Sequence, residues 1–342
     1  MTGAFNLRLR ALYGDVWSAL SSLLLLGALA LSIPRLLDWA ITRAVWQGNG
    51  TDCDDGGACW AFLQAKLPFI LFGIYPAVER WRPVLVIAVI LLLALWSLPR
   101  GNWTRTTLLL WVVGIAAALM LMGGGVAGLS TVPTEAWGGL PVTLILTVIS
   151  LALGLPLGIA LALARRSTMP VFRWGATALI EIVRALPLLT LLFIAALMTP
   201  LILPDRISPD NLMRASFALT LSAGVYFAEV IRGGLQGVAG SQEEASRALG
   251  LSWADSMKSV ILPQALGKVL PPLTNTVILI VKNTSLVMII GLFDLLSAGR
   301  VALSDPAWPM PFAETYLTIA AIYFAICFGL ARYARHLEGM RR

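Results

Sequence analysis

Five ionisable side chains, Glu181, Arg184, Glu229, Arg232 and Lys282, stand inside long apolar stretches of the chain. A charge at the centre of a bilayer costs on the order of 2.5–3.5 kcal/mol on insertion scales, so each needs a partner or water. Glu181 with Arg184, and Glu229 with Arg232, are three residues apart, which on a helix puts both members of a pair on nearly one face, where each pair could neutralise itself. The chemistry open to such groups is recognition of a solute that itself carries opposite charges, such as an ammonium and a carboxylate. A carboxylate accepts from the ammonium, and a cation donates to the carboxylate, in a dehydrated pocket. Glu181, Arg184 and Lys282, expected deep in their spans, make the charged cradle of this reading. Asn283, Thr284 and Ser285, with Thr143, Thr147 and Thr190, offer neutral hydrogen bonds, although Ser and Thr in spans more often bond their own or a neighbouring helix. Glu229 and Arg232 fall at the inner end of their span and are read as an internal ion pair or a transmission element.

Bond-breaking chemistry finds no support. The chain holds one histidine, His336, and three scattered cysteines, with no His-Glu-x-x-His pattern and no metal-ligand spacing. Gly267-Lys268 is followed by Val269 and lacks the preceding glycine of a phosphate-cradling loop, so any use of ATP and Mg belongs to another chain and no cofactor is expected on this one. Cys53 and Cys59 share one loop, where an oxidising compartment would permit a disulfide; the sequence alone allows either a bridge or two thiols. Cys327 reads as a packed residue of the last span.

The elements that must position these groups are membrane helices. Of 342 residues, 58% are hydrophobic and 13% charged, against roughly 45–50% and about 25% in soluble domains. About eight windows approach the length of roughly 20 apolar residues needed to cross a bilayer. They are Val16–Leu37, Val84–Leu98, Thr106–Gly125, Leu140–Ala164, Phe172–Leu203, Leu212–Ile231, Val269–Phe293 and Tyr316–Arg332. Arg8, Arg10, Arg100, Arg105, Arg165, Arg166, Arg173, Arg247, Lys258, Lys268, Arg332, Arg335, Arg341 and Arg342 all fall on one side if the windows alternate. By the positive-inside rule that side is the cytoplasm, which puts both termini inside; Arg80 and Arg82 depart from the pattern. The net charge of +7 is then met by anionic lipid headgroups, and no nucleic-acid partner is called for. The first apolar run is longer than a signal-peptide core and lacks a small-x-small cleavage site, so it reads as a retained span. Trp60–Tyr75, interrupted by Pro68, reads as a helix lying on the outer leaflet. Pro156 between Gly154 and Gly158, Pro187, and Pro271-Pro272 mark hinges or ordinary kinks.

A glycine- and proline-rich stretch near 123–139 divides three leading windows from five trailing ones, giving an extension, 1–138, and a core, 139–342. Within the core, the inner loop 233–268 has an ordered grammar. Ser241 and Glu244 have capping-box spacing, and Gly250 can close a helix over about 242–249 in the left-handed conformation. Ser252 and Asp255 repeat the cap, and Pro263 marks where a second helix must end or bend.

Glu244-Ala245, Gly250 and Ile261-Leu262-Pro263 resemble the Glu-Ala-Ala…Gly…Leu-Pro motif of the permeases of ATP-binding-cassette (ABC) importers, with Ser246 in place of the second alanine. Lys282-Asn283-Thr284-Ser285-Leu286 resembles the Lys-Asp-Thr-Ser-Leu segment of polar amino-acid permeases, with Asn283 for Asp. Glu181-Ile182-Val183-Arg184-Ala185-Leu186-Pro187-Leu188-Leu189 and Tyr226–Gly234 match two further blocks, so the resemblance covers roughly 139–342. The first 138 residues look like those of the longer permeases of general L-amino acid transporters. The resemblance implies an all-α membrane protein with a five-helix type I importer core after three extra helices. It also implies that Glu243, Glu244, Ala245, Gly250, Leu262 and Pro263 belong to a coupling loop that docks on an ATP-binding subunit. The implied partners are two such subunits, a second and different permease chain, and a periplasmic amino-acid-binding protein. A gradient-driven transporter could use the same buried charges but leaves the capped loop without a task. An assembly subunit would use the loop and bind no solute.

Overall fold

The computed structural model describes residues 15–53, 56–204, 208–238 and 240–340. Arg8, Arg10, Arg341 and Arg342 of the basic set, and part of the loop after Leu203, lie outside the described residues. The described chain is helical, and its only bridge of strand type joins Val45 and Cys59. Five of its helices are long and apolar enough to cross a membrane, and a bent pair makes a sixth.

Two compact units are built from the chain. The first holds residues up to Leu67 together with Leu303–Leu317. Its long helix, α1 (Val16–Leu37), begins at Asp15, whose carboxylate caps the Ser18 N–H, and has no buried residue. Leucines exposed along such a helix are what a hydrocarbon environment favours. The polar part of the unit is cross-linked. A disulfide joins Cys53 to Cys59, the Cys59 N–H donates to Glu314 at 2.7 Å, and Lys66 pairs with Asp305. The Lys66 ammonium holds the Asp305 carboxyl below the usual carboxylate range. Trp60 stacks on Trp46 and tilts against Trp39, and Phe62 meets Trp308 edge-on. Trp60 opens α2 (Trp60–Phe72), which carries Pro68 internally and stops short of the expected Tyr75.

The second unit, Pro68–Ala302 with Thr318–Arg342, contains α3 (Trp81–Trp96), α4 (Arg105–Gly123), α5 (Gly139–Arg165), α6 (Pro170–Ala185), α7 (Leu188–Ile202) and α8 (Asn211–Gln236). The expected single span Phe172–Leu203 is broken: α6 and α7 meet at 105°. The ring of Pro187 drives the residue before it out of the helical region, and Leu186 is extended at φ −91°, ψ 134°. Pro156 sits inside an uninterrupted α5, and the glycines beside it serve close packing. A Cβ on Gly158 would come within 2.5 Å of the Phe227 Cβ, one on Gly154 within 2.8 Å of the Ala223 Cβ, and one on Gly224 within 2.6 Å of Leu157. Small residues thus let α5 and α8 approach closely, as membrane helices do where no hydrophobic driving force acts between them.

Arg82 explains why the basic pattern tolerates it. It is 1% exposed, donates to the Ser130 carbonyl at 2.8 Å and the Ser130 hydroxyl at 2.9 Å, and pairs with Glu79 at 2.8 Å. Its charge is therefore neutralised inside the protein rather than presented to headgroups.

Maleimide labelling of the denatured, unreduced chain is expected to mark Cys327 alone, and labelling after reduction to mark Cys53 and Cys59 as well; three labels before reduction would contradict the bridge.

Candidate functional site

After Gln236 the chain forms α9 (Gly240–Ala248), then α10 (Trp253–Ser256), a wide π turn (Met257–Ile261) and α11 (Leu262–Lys268). The expected pair of short helices is present, with two corrections. Ser241 lies inside α9 rather than capping it, because the helix already starts at Gly240. Glu243 rather than Glu244 carries the polar contacts. Pro263, the expected end or bend of the second helix, sits in the first turn of α11 directly after the π turn, and the helical path continues to Lys268. The turn at Gly250 is as expected. Gly250 has φ +73°, its N–H donates to the Arg247 carbonyl at 2.9 Å, and the Leu251 N–H donates to the Ser246 carbonyl at 3.1 Å. These two bonds satisfy the last carbonyls of α9 in the Schellman manner. The Ser252 hydroxyl accepts from the Asp255 N–H at 3.2 Å and donates to the Asp255 carboxylate at 2.5 Å.

Ser246, which departs from the family motif, has a structural task. It is buried, and its hydroxyl lies 2.5 Å from that of Ser256, tying α9 to α10. Glu244, Ala245 and Ala248 face outward. Leu249 (80% exposed) and Trp253 (61%) join them. The loop therefore presents an outward face of mixed acid and apolar character. Sequence reasoning missed Leu249 and Trp253, although an apolar residue just before a helix-closing glycine and a tryptophan just after the Ser252 cap were visible signals.

Glu243 points the other way. It pairs with Arg247 at 2.8 Å and lies 3.8 Å from Arg166, which caps the C-terminus of α5. Next to Arg166, Arg165 is held by two carboxylates, Glu181 of α6 at 2.9 Å and Glu229 of α8 at 3.0 Å. Glu229 also takes Arg184 at 3.7 Å and Arg232 through a close pair. The two expected i,i+3 pairs are thus only half right. Arg232 does meet Glu229, but Glu181 and Arg184 each reach across to another helix, and these four charges gather with Arg165 at the α5 terminus beside the loop rather than deep in the spans.

Lys282 is at the end of α12 (Leu270–Asn283), where Pro271 and Pro272 sit in the first turn, and a 3-10 stretch (Thr284–Ile290) follows. Among the described residues Lys282 makes no ion pair with Glu181 or any other carboxylate, so the structure does not bring the expected cradle into one salt-bridged group. The Thr284 hydroxyl donates to the Val281 carbonyl and that of Ser285 to the Lys282 carbonyl. Thr143 and Thr147 likewise bond carbonyls of their own helix.

A further buried carboxylate, Asp294, escaped the sequence reading. It opens α13 (Leu295–Ala302), accepting from the Ser297 N–H at 2.9 Å, the Leu296 N–H at 3.1 Å and the Tyr323 hydroxyl at 3.3 Å, and from the Ser297 hydroxyl. Tyr323 belongs to α14 (Phe312–Gly339). The Asp-x-x-Ser spacing was its sequence signal.

The family model described as "Binding-protein-dependent transport system inner membrane component" matches residues 154–341, which contain the charge cluster and the helix pair. The chain belongs to this family. It is 42% identical to the inner membrane amino-acid ABC transporter permease protein YhdY of Escherichia coli over 94% of this chain and 89% of that one. It is 31% identical to the glutamate/glutamine/aspartate/asparagine transport system permease protein BztC of Rhodobacter capsulatus over 87% and 85%. Both matches cover more of the chain than residues 139–342 alone, so they take in sequence from the leading part as well. A solved amino acid ABC transporter, crystallised with histidines, aligns at TM-score 0.52 and 31% identity over 59% of this chain and 92% of that one. The chain is a multi-pass membrane component of a transport system.

Glu229→Gln should be the most damaging neutralisation in the cluster, because it strands Arg165, Arg184 and Arg232 together. A loss of about 1–3 kcal/mol is expected, with less than about 1 kcal/mol for Glu181→Gln, whose side chain is 55% exposed. Thermal unfolding in detergent checks the order; an equal or reversed order would contradict it.

Proposed function

We propose that this chain is the permease subunit of an ATP-driven importer of L-amino acids, of broad and polar specificity, in the bacterial cytoplasmic membrane. The observation that carries the reading is the outward-facing surface of Glu244, Ala245, Leu249 and Trp253, held by Gly250 and by the Ser246–Ser256 contact. A surface of this kind needs a partner. The sequence has no phosphate-binding loop of its own, so ATP and Mg act on separate subunits, two in the complete importer, that dock here. Leu262 and Pro263 set the base of the docking element and Glu243 ties it to Arg166. A second, related permease chain and a periplasmic amino-acid-binding protein complete the assembly, and both termini of this chain lie in the cytoplasm.

The amino-acid substrate class is supported by the names of the relatives and by the charges available. Glu181 and Arg184 have side chains 55% and 37% exposed, and each is held by a single ionic contact within the cluster. Each keeps capacity to meet an ammonium or a carboxylate. Lys282 with Asn283 supplies a second donor position, while Thr284 and Ser285 shape the backbone there by bonding their own helix.

Glu244→Arg should reduce co-purification with the ATP-binding subunit by at least about tenfold, a loss of roughly 1.4 kcal/mol or more. It should also abolish amino-acid-stimulated ATP hydrolysis in liposomes. Undiminished co-purification, or solute uptake by this chain alone, would refute the importer reading and favour a gradient-driven transporter.

A further inference from the structure

A cavity of about 390 Å³ lies where α5 and α8 end beside the first turn of α9, lined by Arg165, Arg166, Arg232, Gln236 and Glu243 over an apolar floor that includes Ile261. This volume is within the range of small-ligand sites. We propose that it binds a phosphate-bearing anion, either the headgroup of an anionic phospholipid or free phosphate. The proposal does not depend on which solute the protein carries.

Charge balance is the first argument. The linked network contains five cations, Arg165, Arg166, Arg184, Arg232 and Arg247, against three carboxylates, Glu181, Glu229 and Glu243. At the cavity wall itself three arginines face one glutamate. Like charges gathered at an apolar floor repel more strongly than in water, and an anion relieves that repulsion.

The second argument is donor capacity. A guanidinium offers five N–H groups in a planar fork suited to phosphate oxygens. Arg232 directs Nε and Nη2 to Glu229, so the protons of Nη1 remain. The Arg166 guanidinium approaches Glu243 only at 3.8 Å, beyond hydrogen-bond length, and among the described residues it donates no shorter side-chain bond. Arg165 is engaged through both Nη atoms by Glu181 and Glu229 and serves as wall charge rather than as principal donor. An anion bridging Arg166 and Arg232 would therefore complete bonds that the protein leaves unmade, at the junction between spanning helices and docking loop.

The test uses the full-length chain freed of co-purifying lipid, as wild type and as Arg166→Gln. Inorganic phosphate is titrated against chloride at matched ionic strength while thermal unfolding is followed. In parallel, nanodiscs of phosphatidylcholine with and without phosphatidylglycerol are compared by native mass spectrometry for retained lipid. Wild type is expected to be stabilised by phosphate over chloride, or to retain phosphatidylglycerol over phosphatidylcholine, with affinity about tenfold weaker in Arg166→Gln, as befits loss of a charged hydrogen bond. A response to phosphate alone assigns a soluble anion, and a response to phosphatidylglycerol alone assigns a lipid. No preference in either arm overturns the proposal, as does equal binding by the variant. Arg166→Lys, which keeps the charge and loses the fork, answers the same question if the glutamine variant does not fold: binding equal to wild type would overturn the bridging role.

Discussion

Charge placed where helices end against a membrane has to be matched locally, and here the matching passes through one carboxylate. Glu229 holds Arg165 of α5, Arg184 of α6 and Arg232 of its own helix. Three helices are thereby fixed at one end by a single group. Its position depends on the packing of α8 on α5, which works only because Gly154, Gly158 and Gly224 remove the side chains that would hold the backbones apart. Packing brings the charges into range, and the charges then define how the helix ends are arranged.

The same cluster continues into the loop. Arg165 and Arg166 are adjacent; one is bound to the spans and the other approaches Glu243 on α9. Glu243 faces inward while its neighbour Glu244 faces outward, so adjacent residues of one helical turn carry the contact with the spans and the proposed docking surface. The helix pair is stiffened by hydroxyl and backbone bonds rather than by a large core. If a partner docks on the outward face as proposed, a short path of ionic contacts connects that face to α5, α6 and α8.

Much of this was legible in the sequence, for identifiable reasons. Apolar windows located α1 and α5 to within a residue or two of their ends, because length and hydropathy dominate where lipid is the solvent. Gly250 and Ser252 marked the turn and second cap, because local hydrogen bonding decides those positions. Partnering was less legible. The spacing of Glu181 and Arg184 points to a pair on one face, yet each is claimed by a charge remote in sequence, and such long-range choice is made by how α5, α6 and α8 pack. The break at Pro187 was visible as a proline, but its 105° outcome was not, since a window of mean hydropathy averages over the bend. Ser246 reads in the sequence as a substitution in the motif, and its task depends on Ser256, which only the folding of the helix pair places opposite it.

The central claim is that Glu229 mechanically joins the spans to the docking loop, and amide hydrogen exchange of the full-length chain carrying Glu229→Gln tests it most directly. Exchange in Gly240–Lys268, which contains none of the cluster's span residues, is predicted to rise together with exchange at the ends of α5 and α6. Faster exchange confined to α8, with the loop unchanged, would contradict the account.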